Sequence, residues 1–238
     1  MAWQPTPYTV PLVVAAVVSV AFAAYALRGR FGDGGPLRRS FVALAVSAGV
    51  WAFAYAIQLS ATSLDATLFW NRFVWVGVAG LAVAWPAFVL AYVDRTAWLR
   101  PRRLWVLCLV PAAAVGAVWT VGPAPLFYRD PALVDAGGYR LLEYAPTPAL
   151  LGFAGYTYAV DLLSFAVIGH TAVARDGVFR RQAALVLTAG VAPLAAGAVG
   201  AAGLVGPDSG VVDLTPVAFA GTAALVGWVV FRYRLLDV

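Results

Sequence analysis

Lysine is absent from this 238-residue chain, and cysteine, histidine and methionine occur once each. Each shortage excludes a chemistry. Without lysine there is no amine for the Schiff base that a retinal protein makes on its seventh helix. The lone Cys108 rules out a disulfide framework within the chain. The lone His170 rules out haem held by paired histidines and the His-Glu-x-x-His zinc site of a protease. His170-Thr171-Ala172 also lacks the glutamate expected after a phosphoacceptor histidine. No glycine-rich loop joins a strand to a helix to cradle phosphate. Charge is scarce too: 11% of residues are charged and 63% hydrophobic, with a mean hydropathy of +0.85. A water-soluble domain needs a polar skin and cannot carry that balance. The formal charge of +5 comes from arginines lying between apolar runs rather than on one soluble face, so nucleic acid is not expected as a partner. Neither a cofactor nor a metal is expected, and no catalytic kinase core is present.

What the chain has in abundance is apolar length. Seven runs stand out, at Thr9–Leu27, Phe41–Leu59, Phe73–Val93, Leu104–Val121, Leu151–Ala172, Ala183–Val205 and Leu214–Phe231. Each has 18 or more residues, enough at helical rise to cross a ~30 Å hydrocarbon layer. None alternates polar with apolar as a barrel strand would. The expectation is an all-α membrane protein, a single seven-helix transmembrane domain over residues 1–238, in the cell membrane with the lipid bilayer as its solvent.

Arginine placement orients it. Thirteen of the 16 arginines fall after runs one, three, five and seven, and only Arg72, Arg129 and Arg140 fall on the other side. Cytoplasmic connections hold the excess of basic residues, so the N-terminus is expected outside and the C-terminus in the cytoplasm. No charge precedes Thr9 and a basic cluster follows Leu27, the order of a retained anchor rather than a cleaved signal peptide. One connection, Gly122 to Pro148, is long and on the outer side. It holds Asp135-Ala136-Gly137-Gly138 and then Tyr139-Arg140-Leu141-Leu142-Glu143-Tyr144. A β-hairpin and a plain solvated loop are equally compatible with it.

Asp161 is the one charged residue inside an apolar run. An acid at mid-membrane costs ~2.5–3.5 kcal/mol on insertion scales, so it faces a cavity or a partner. Thr157, Asp161 and Ser164 make one polar stripe, with Tyr158 a turn from Asp161. The stripe reads either as a ligand contact or as a clamp to a neighbouring helix. Trp51, Tyr55 and Gln58 share a face of the second helix, and Trp70-Asn71-Arg72-Phe73-Val74-Trp75 opens the third. Arg72 either snorkels outward or turns in toward an anion or Asp161. Trp51, Tyr55, Gln58, Asn71, Arg72, Trp75, Tyr158 and Asp161 are therefore candidate ligand contacts, with plain packing as the alternative for each. Ala196 and Gly200 allow close helix contact, within the bundle or in a homodimer. Pro86, Pro111, Pro193 and Pro216 each remove a backbone donor and invite a kink.

These pieces resemble a known family. Trp51 with Tyr55, Leu68-Phe69-Trp70-Asn71-Arg72, Pro86-Ala87-Phe88 with Tyr92, Leu126-Phe127-Tyr128, Leu141-Leu142-Glu143-Tyr144, Tyr156-Thr157-Tyr158, Arg180-Arg181-Gln182, Asp213-Leu214-Thr215-Pro216 and Phe231-Arg232-Tyr233-Arg234-Leu235-Leu236-Asp237 follow one another as in the N-terminal seven-helix sensor region of bacterial and archaeal histidine kinases. The chain departs from it at Thr120-Val121-Gly122-Pro123, where Asn and His are frequent, and at Gly197, near the place of an Asn. The resemblance implies a signal-input domain. It would pass an extracellular or membrane cue through helix seven and Arg232, Tyr233 and Arg234 to a cytoplasmic histidine kinase or PAS-type module, fused or separate. The ligand would be a small molecule of unknown identity. The rival from another class is a transporter of a small solute, a proton or a cation, using Asp161.

Overall fold

The computed structural model describes residues 3–28, 35–119, 126–136, 138–175, 177–201 and 212–234. Arg30, Thr120 to Pro123, Asp208 and Leu235 to Asp237 lie outside the described residues, as do the side chains of Arg232, Tyr233 and Arg234. Among the described residues there are seven α-helices: α1 (Thr9–Arg28), α2 (Pro36–Ser60), α3 (Leu64–Tyr92), α4 (Pro101–Trp119), α5 (Pro148–Ala174), α6 (Val178–Ala201) and α7 (Thr215–Arg234). A 3₁₀ turn, Thr96–Leu99, joins α3 to α4, and two strands, β1 (Tyr128–Ala136) and β2 (Tyr139–Pro146), lie between α4 and α5.

Helices begin where the sequence makes the loss of an N–H partner harmless. Pro36, Pro101 and Pro148 stand first in α2, α4 and α5, where a missing N–H costs nothing and the fixed φ suits the helix. Thr147 caps α5: its Oγ1 accepts from the Leu150 N–H at 3.3 Å. The same hydroxyl shares its proton between the carbonyls of Leu126 (2.8 Å) and Phe127 (2.7 Å). The cap therefore also fastens the root of the hairpin to the helix.

Helix α3 starts at Leu64, well before the run expected from Phe73. Trp70-Asn71-Arg72 lies inside the helix rather than at its opening. Hydropathy marks only the stretch that suits lipid, whereas backbone hydrogen bonding continues through polar flanks. Asp65 in the first turn favours that start, since an acid there complements the helix dipole.

The helices pack as a closed ring in which consecutive members touch and α1 meets α7; α2 also touches α7, and α3 touches α5. The central pair is α2 and α3. A Cβ on Gly77 of α3 would lie 2.6 Å from the Trp51 backbone nitrogen, and one on Gly80 would lie 2.3 Å from Ser47 Oγ. Both glycines let the two backbones approach closely. The largest buried cluster joins Phe41 and Leu44 of α2, Trp85 and Phe88 of α3, Ile168 of α5 and Val226 of α7. Outside the ring lies a broad apolar surface: Val13, Val14 and Val17 on α1, Trp105, Val106 and Leu109 on α4, Leu162 and Leu163 on α5 are all exposed. So large an apolar exposure suits lipid rather than water. Among the described residues, six helices are long and apolar enough to cross a membrane, and α7 has a shorter apolar stretch, Thr215–Trp228.

The long connection is a hairpin, not a plain loop. β1 and β2 pair antiparallel from Tyr128↔Pro146 to Ala136↔Tyr139, with an irregularity between Arg129 and Ala132. Asp130 takes a φ of 49° there. At the turn, Gly138 has a φ of 92°, a conformation glycine adopts without steric cost, and its N–H donates to Asp135 Oδ1 at 3.0 Å. Gln4 ties the segment before α1 to this end. Its Nε2 donates to the carbonyls of Leu59 (2.7 Å) and Arg140 (2.9 Å), and its Oε1 accepts from the Arg140 N–H (3.0 Å). The N-terminal segment, the end of α2 and the hairpin thus form one end of the molecule, opposite the α3–α4 connection with Arg95, Arg100, Arg102 and Arg103.

Candidate functional site

A cavity of about 200 Å³ lies within the ring, walled by α2, α3, α5, α6 and α7. Helix spacing brings the walls together. Trp75, Val78, Ala82 and Trp85 recur at helical intervals on α3, as do Thr157, Asp161 and Phe165 on α5, and Gly190, Pro193 and Gly197 on α6. Trp51 closes the α2 side and Phe219 the α7 side, their rings 5.5 Å apart.

Two glycines on α6 keep the space open. A Cβ on Gly190 would stand 2.6 Å from the Phe165 ring and 2.7 Å from Trp85. At Gly197 a Cβ would meet only the Tyr158 hydroxyl, at 3.3 Å. Proline shapes the same wall. Pro193 has no N–H for the Ala189 carbonyl four residues earlier, and Thr222 Oγ1 of α7 donates to that carbonyl at 2.6 Å instead. The same device recurs outside the cavity: Pro111 frees the Leu107 carbonyl of α4, and the Tyr156 hydroxyl of α5 donates to it at 2.7 Å. Pro86 likewise frees the Ala82 carbonyl of α3, but no side chain among the described residues caps it. Ala82 lies on the cavity wall.

Of the eight candidate contacts, Trp51, Trp75, Tyr158 and Asp161 line the cavity. Asp161 is the fourteenth of the 27 residues of α5. It forms no hydrogen bond or ion pair with another described residue, so no clamp to a neighbouring helix is seen among the described residues. The rest of its stripe is satisfied within α5, Thr157 Oγ1 donating to the Phe153 carbonyl (2.9 Å) and Ser164 Oγ to that of Val160 (2.8 Å).

Gln58 and Asn71 are buried behind the wall. Asn71 Nδ2 donates to Gln58 Oε1 at 3.2 Å, and Trp75 Nε1 donates to Asn71 Oδ1 at 3.1 Å. The chain runs from α2 to the cavity and fixes the orientation of the Trp75 indole. Tyr55 packs in the cluster of Leu12, Leu141 and Val212 at the hairpin end, its hydroxyl near Asp213. Arg72 turns to neither the cavity nor Asp161. Its guanidinium lies over the Trp119 ring, 5.6 Å from the centroid, with Nε buried and without a partner among the described residues.

The hairpin root covers the same region. The Phe127 ring stands 4.7 Å from Trp75, edge to face, and 6.1 Å from Phe153. Beyond it, Tyr128 and Tyr144 lie 4.9 Å apart. Burial pushes the Tyr144 hydroxyl up to about 12, with Tyr128 and Asp213 adding to the rise. Burial also raises that of Tyr128, against the pull of Arg72. Asp213, which lines the cavity, accepts from both the backbone N–H and the hydroxyl of Thr215.

Several wall residues were not among the candidates: Trp85, Phe153, Phe165, Phe219 and Thr222. The repeat Trp75-x₂-Val78-x₃-Ala82-x₂-Trp85 carried a helical signal for the first of them. Phe219 and Thr222 sit in a helix that is apolar on every side, and nothing in such a run distinguishes a lipid-facing position from a wall.

A search of curated proteins returns no match. The family model described as the N-terminal 7TM region of histidine kinase matches residues 11–238. That region is the sensor part of such kinases and not their catalytic core, which accords with a multi-pass protein of the cell membrane. Nearly the whole chain, cavity and hairpin included, lies within the match, and the chain belongs to the family of N-terminal 7TM regions of histidine kinases.

Proposed function

We propose that this chain is the signal-input unit of a membrane receptor, and that the aromatic cavity is its sensing site. All seven helices cross the bilayer, with the hairpin outside and the arginine-rich connections in the cytoplasm. A small ligand in the cavity biases two arrangements of α6 and α7, and the cytoplasmic end of α7 passes the change to a histidine kinase or PAS-type module. Arginine distribution supports the orientation. One observation carries the sensing role: the cavity wall includes α7 itself, held to α6 by the bond from Thr222 to the proline-freed Ala189 carbonyl. A ligand that favours one packing of this wall shifts α7 only by its differential affinity for the two states.

The test is a graft of a histidine-kinase core after Val238. Filling the cavity with Gly197→Phe should change autophosphorylation in membranes by at least ~3-fold, equivalent to ~0.65 kcal/mol of bias. Equal rates for the two proteins, at equal abundance, would remove the cavity from the signalling path.

A further inference from the structure

We infer that the cavity takes a small organic cation, a protonated amine on an aromatic or branched-alkyl body. The inference rests on the reading of the cavity as the ligand site and adds the class of ligand. It follows from which polar atoms face the space. The hydroxyl protons of Thr157, Thr215 and Thr222 are donated to the Phe153 carbonyl, the Asp213 carboxylate and the Ala189 carbonyl. These oxygens therefore offer only lone pairs to a ligand. The Trp75 N–H is spent on Asn71. Asp161 supplies a carboxylate with no partner among the described residues. Among the described residues, no arginine or histidine lines the space.

The walls point the same way. The rings of Trp51, Trp75 and Trp85 border the cavity, and their π faces attract cations most strongly where water is excluded. An anion would meet the Asp161 carboxylate and these acceptors, with the Tyr158 hydroxyl as a donor on the opposite side of the balance. A purely apolar guest would leave Asp161 desolvated and unpaired, which is costly in a membrane interior. An ammonium group satisfies the carboxylate and the acceptors together. An apolar cavity of about 150 Å³ admits benzene, so about 200 Å³ has room for one ring with a short aminoalkyl arm.

The experiment uses the full chain in lipid nanodiscs, with tryptophan fluorescence read against empty nanodiscs. The probes are 2-phenylethylammonium, neutral 2-phenylethanol and anionic phenylacetate. The ammonium should give saturable quenching, with the alcohol at least 10-fold weaker and the carboxylate weaker still. Asp161→Asn should erase the preference for ammonium over alcohol. Asp161→Glu, which keeps the charge, should retain it, as should Asp65→Asn, an exposed acid in the first turn of α3. The inference is overturned if the alcohol binds within 3-fold of the ammonium, if the preference survives Asp161→Asn, or if none of the probes binds saturably. Should any of these occur while Gly197→Phe still shifts the grafted kinase, only the ligand class is lost. A preference for ammonium that depends on Asp161, together with an unresponsive graft, would keep the cation site and discard the sensor.

Discussion

Asp161 is held in an arrangement that works against the stability of the fold. Leu162 and Leu163 beside it are exposed on the outer face of α5, and no described side chain pairs with the acid. A residue kept for packing alone would be apolar there. Asp161→Leu should therefore stabilise the protein, by up to the ~2.5–3.5 kcal/mol of the insertion scales, and erase the preference for ammonium proposed above. A lower melting temperature for the variant in detergent would show that the acid has a structural partner after all. Tyr144 gives a second test at this scale. Its hydroxyl is raised to about 12 from an unfolded value of ~10. The stability it contributes is complete below pH ~10 and is lost as the pH rises through 12, because folding favours the protonated form. Ultraviolet titration of tyrosinate should lose one late step, near pH 12, in Tyr144→Phe. An unchanged curve would mean that Tyr144 is not enclosed by the hairpin root.

At the scale of elements, proline and hydroxyl act as pairs. Pro193 frees the Ala189 carbonyl and Thr222 caps it; Pro111 frees that of Leu107 and Tyr156 caps it. Thr222→Val keeps the shape and removes the donor, leaving a buried carbonyl unpaired at a cost of ~1–3 kcal/mol. It should lower the melting temperature and loosen α6 from α7, and Thr222→Ser should restore both. Equal melting of Thr222→Val and the parent would deny the pairing. The contact of α2 with α3 rests on Gly77, where a Cβ would lie 2.6 Å from a backbone atom that cannot swing aside. Gly77→Ala should lower the melting temperature, an overpacking cost of ~1–3 kcal/mol.

Helices were legible because apolar length is a strong signal, but their ends were not. Hydropathy stops at Asn71 and Arg72, whereas α3 continues back to Leu64 because its hydrogen bonds do not depend on side-chain polarity. The Asp-Ala-Gly-Gly turn carried a hairpin signal, while the pairing itself depends on contacts across strands that no local pattern displays. Asp161, Trp51 and Trp75 of the cavity wall announced themselves by type, whereas Trp85 did not. Gln58 and Asn71 looked the same from sequence and prove to stand behind the wall, since only the folded packing tells a ligand contact from a support.

The whole molecule is a ring closed by α1 against α7, with its two ends chemically unlike. One gathers the N-terminal segment and the hairpin; the other gathers the arginine-bearing connections. If arginine fixes orientation, a single cysteine placed at Arg102 in a Cys108→Ser background should resist an impermeant thiol reagent in intact cells, and one placed at Asp135 should react. The reverse pattern would invert the orientation.

The central claim is that the state of the cavity reaches the far end of α7. Spin labels at Ala172, near the end of α5, and at Val230 on α7 measure that most directly, by the distance between them in nanodiscs. The account predicts a shifted distance distribution when Gly197→Phe fills the cavity. Superimposable distributions for the open and filled forms would contradict it.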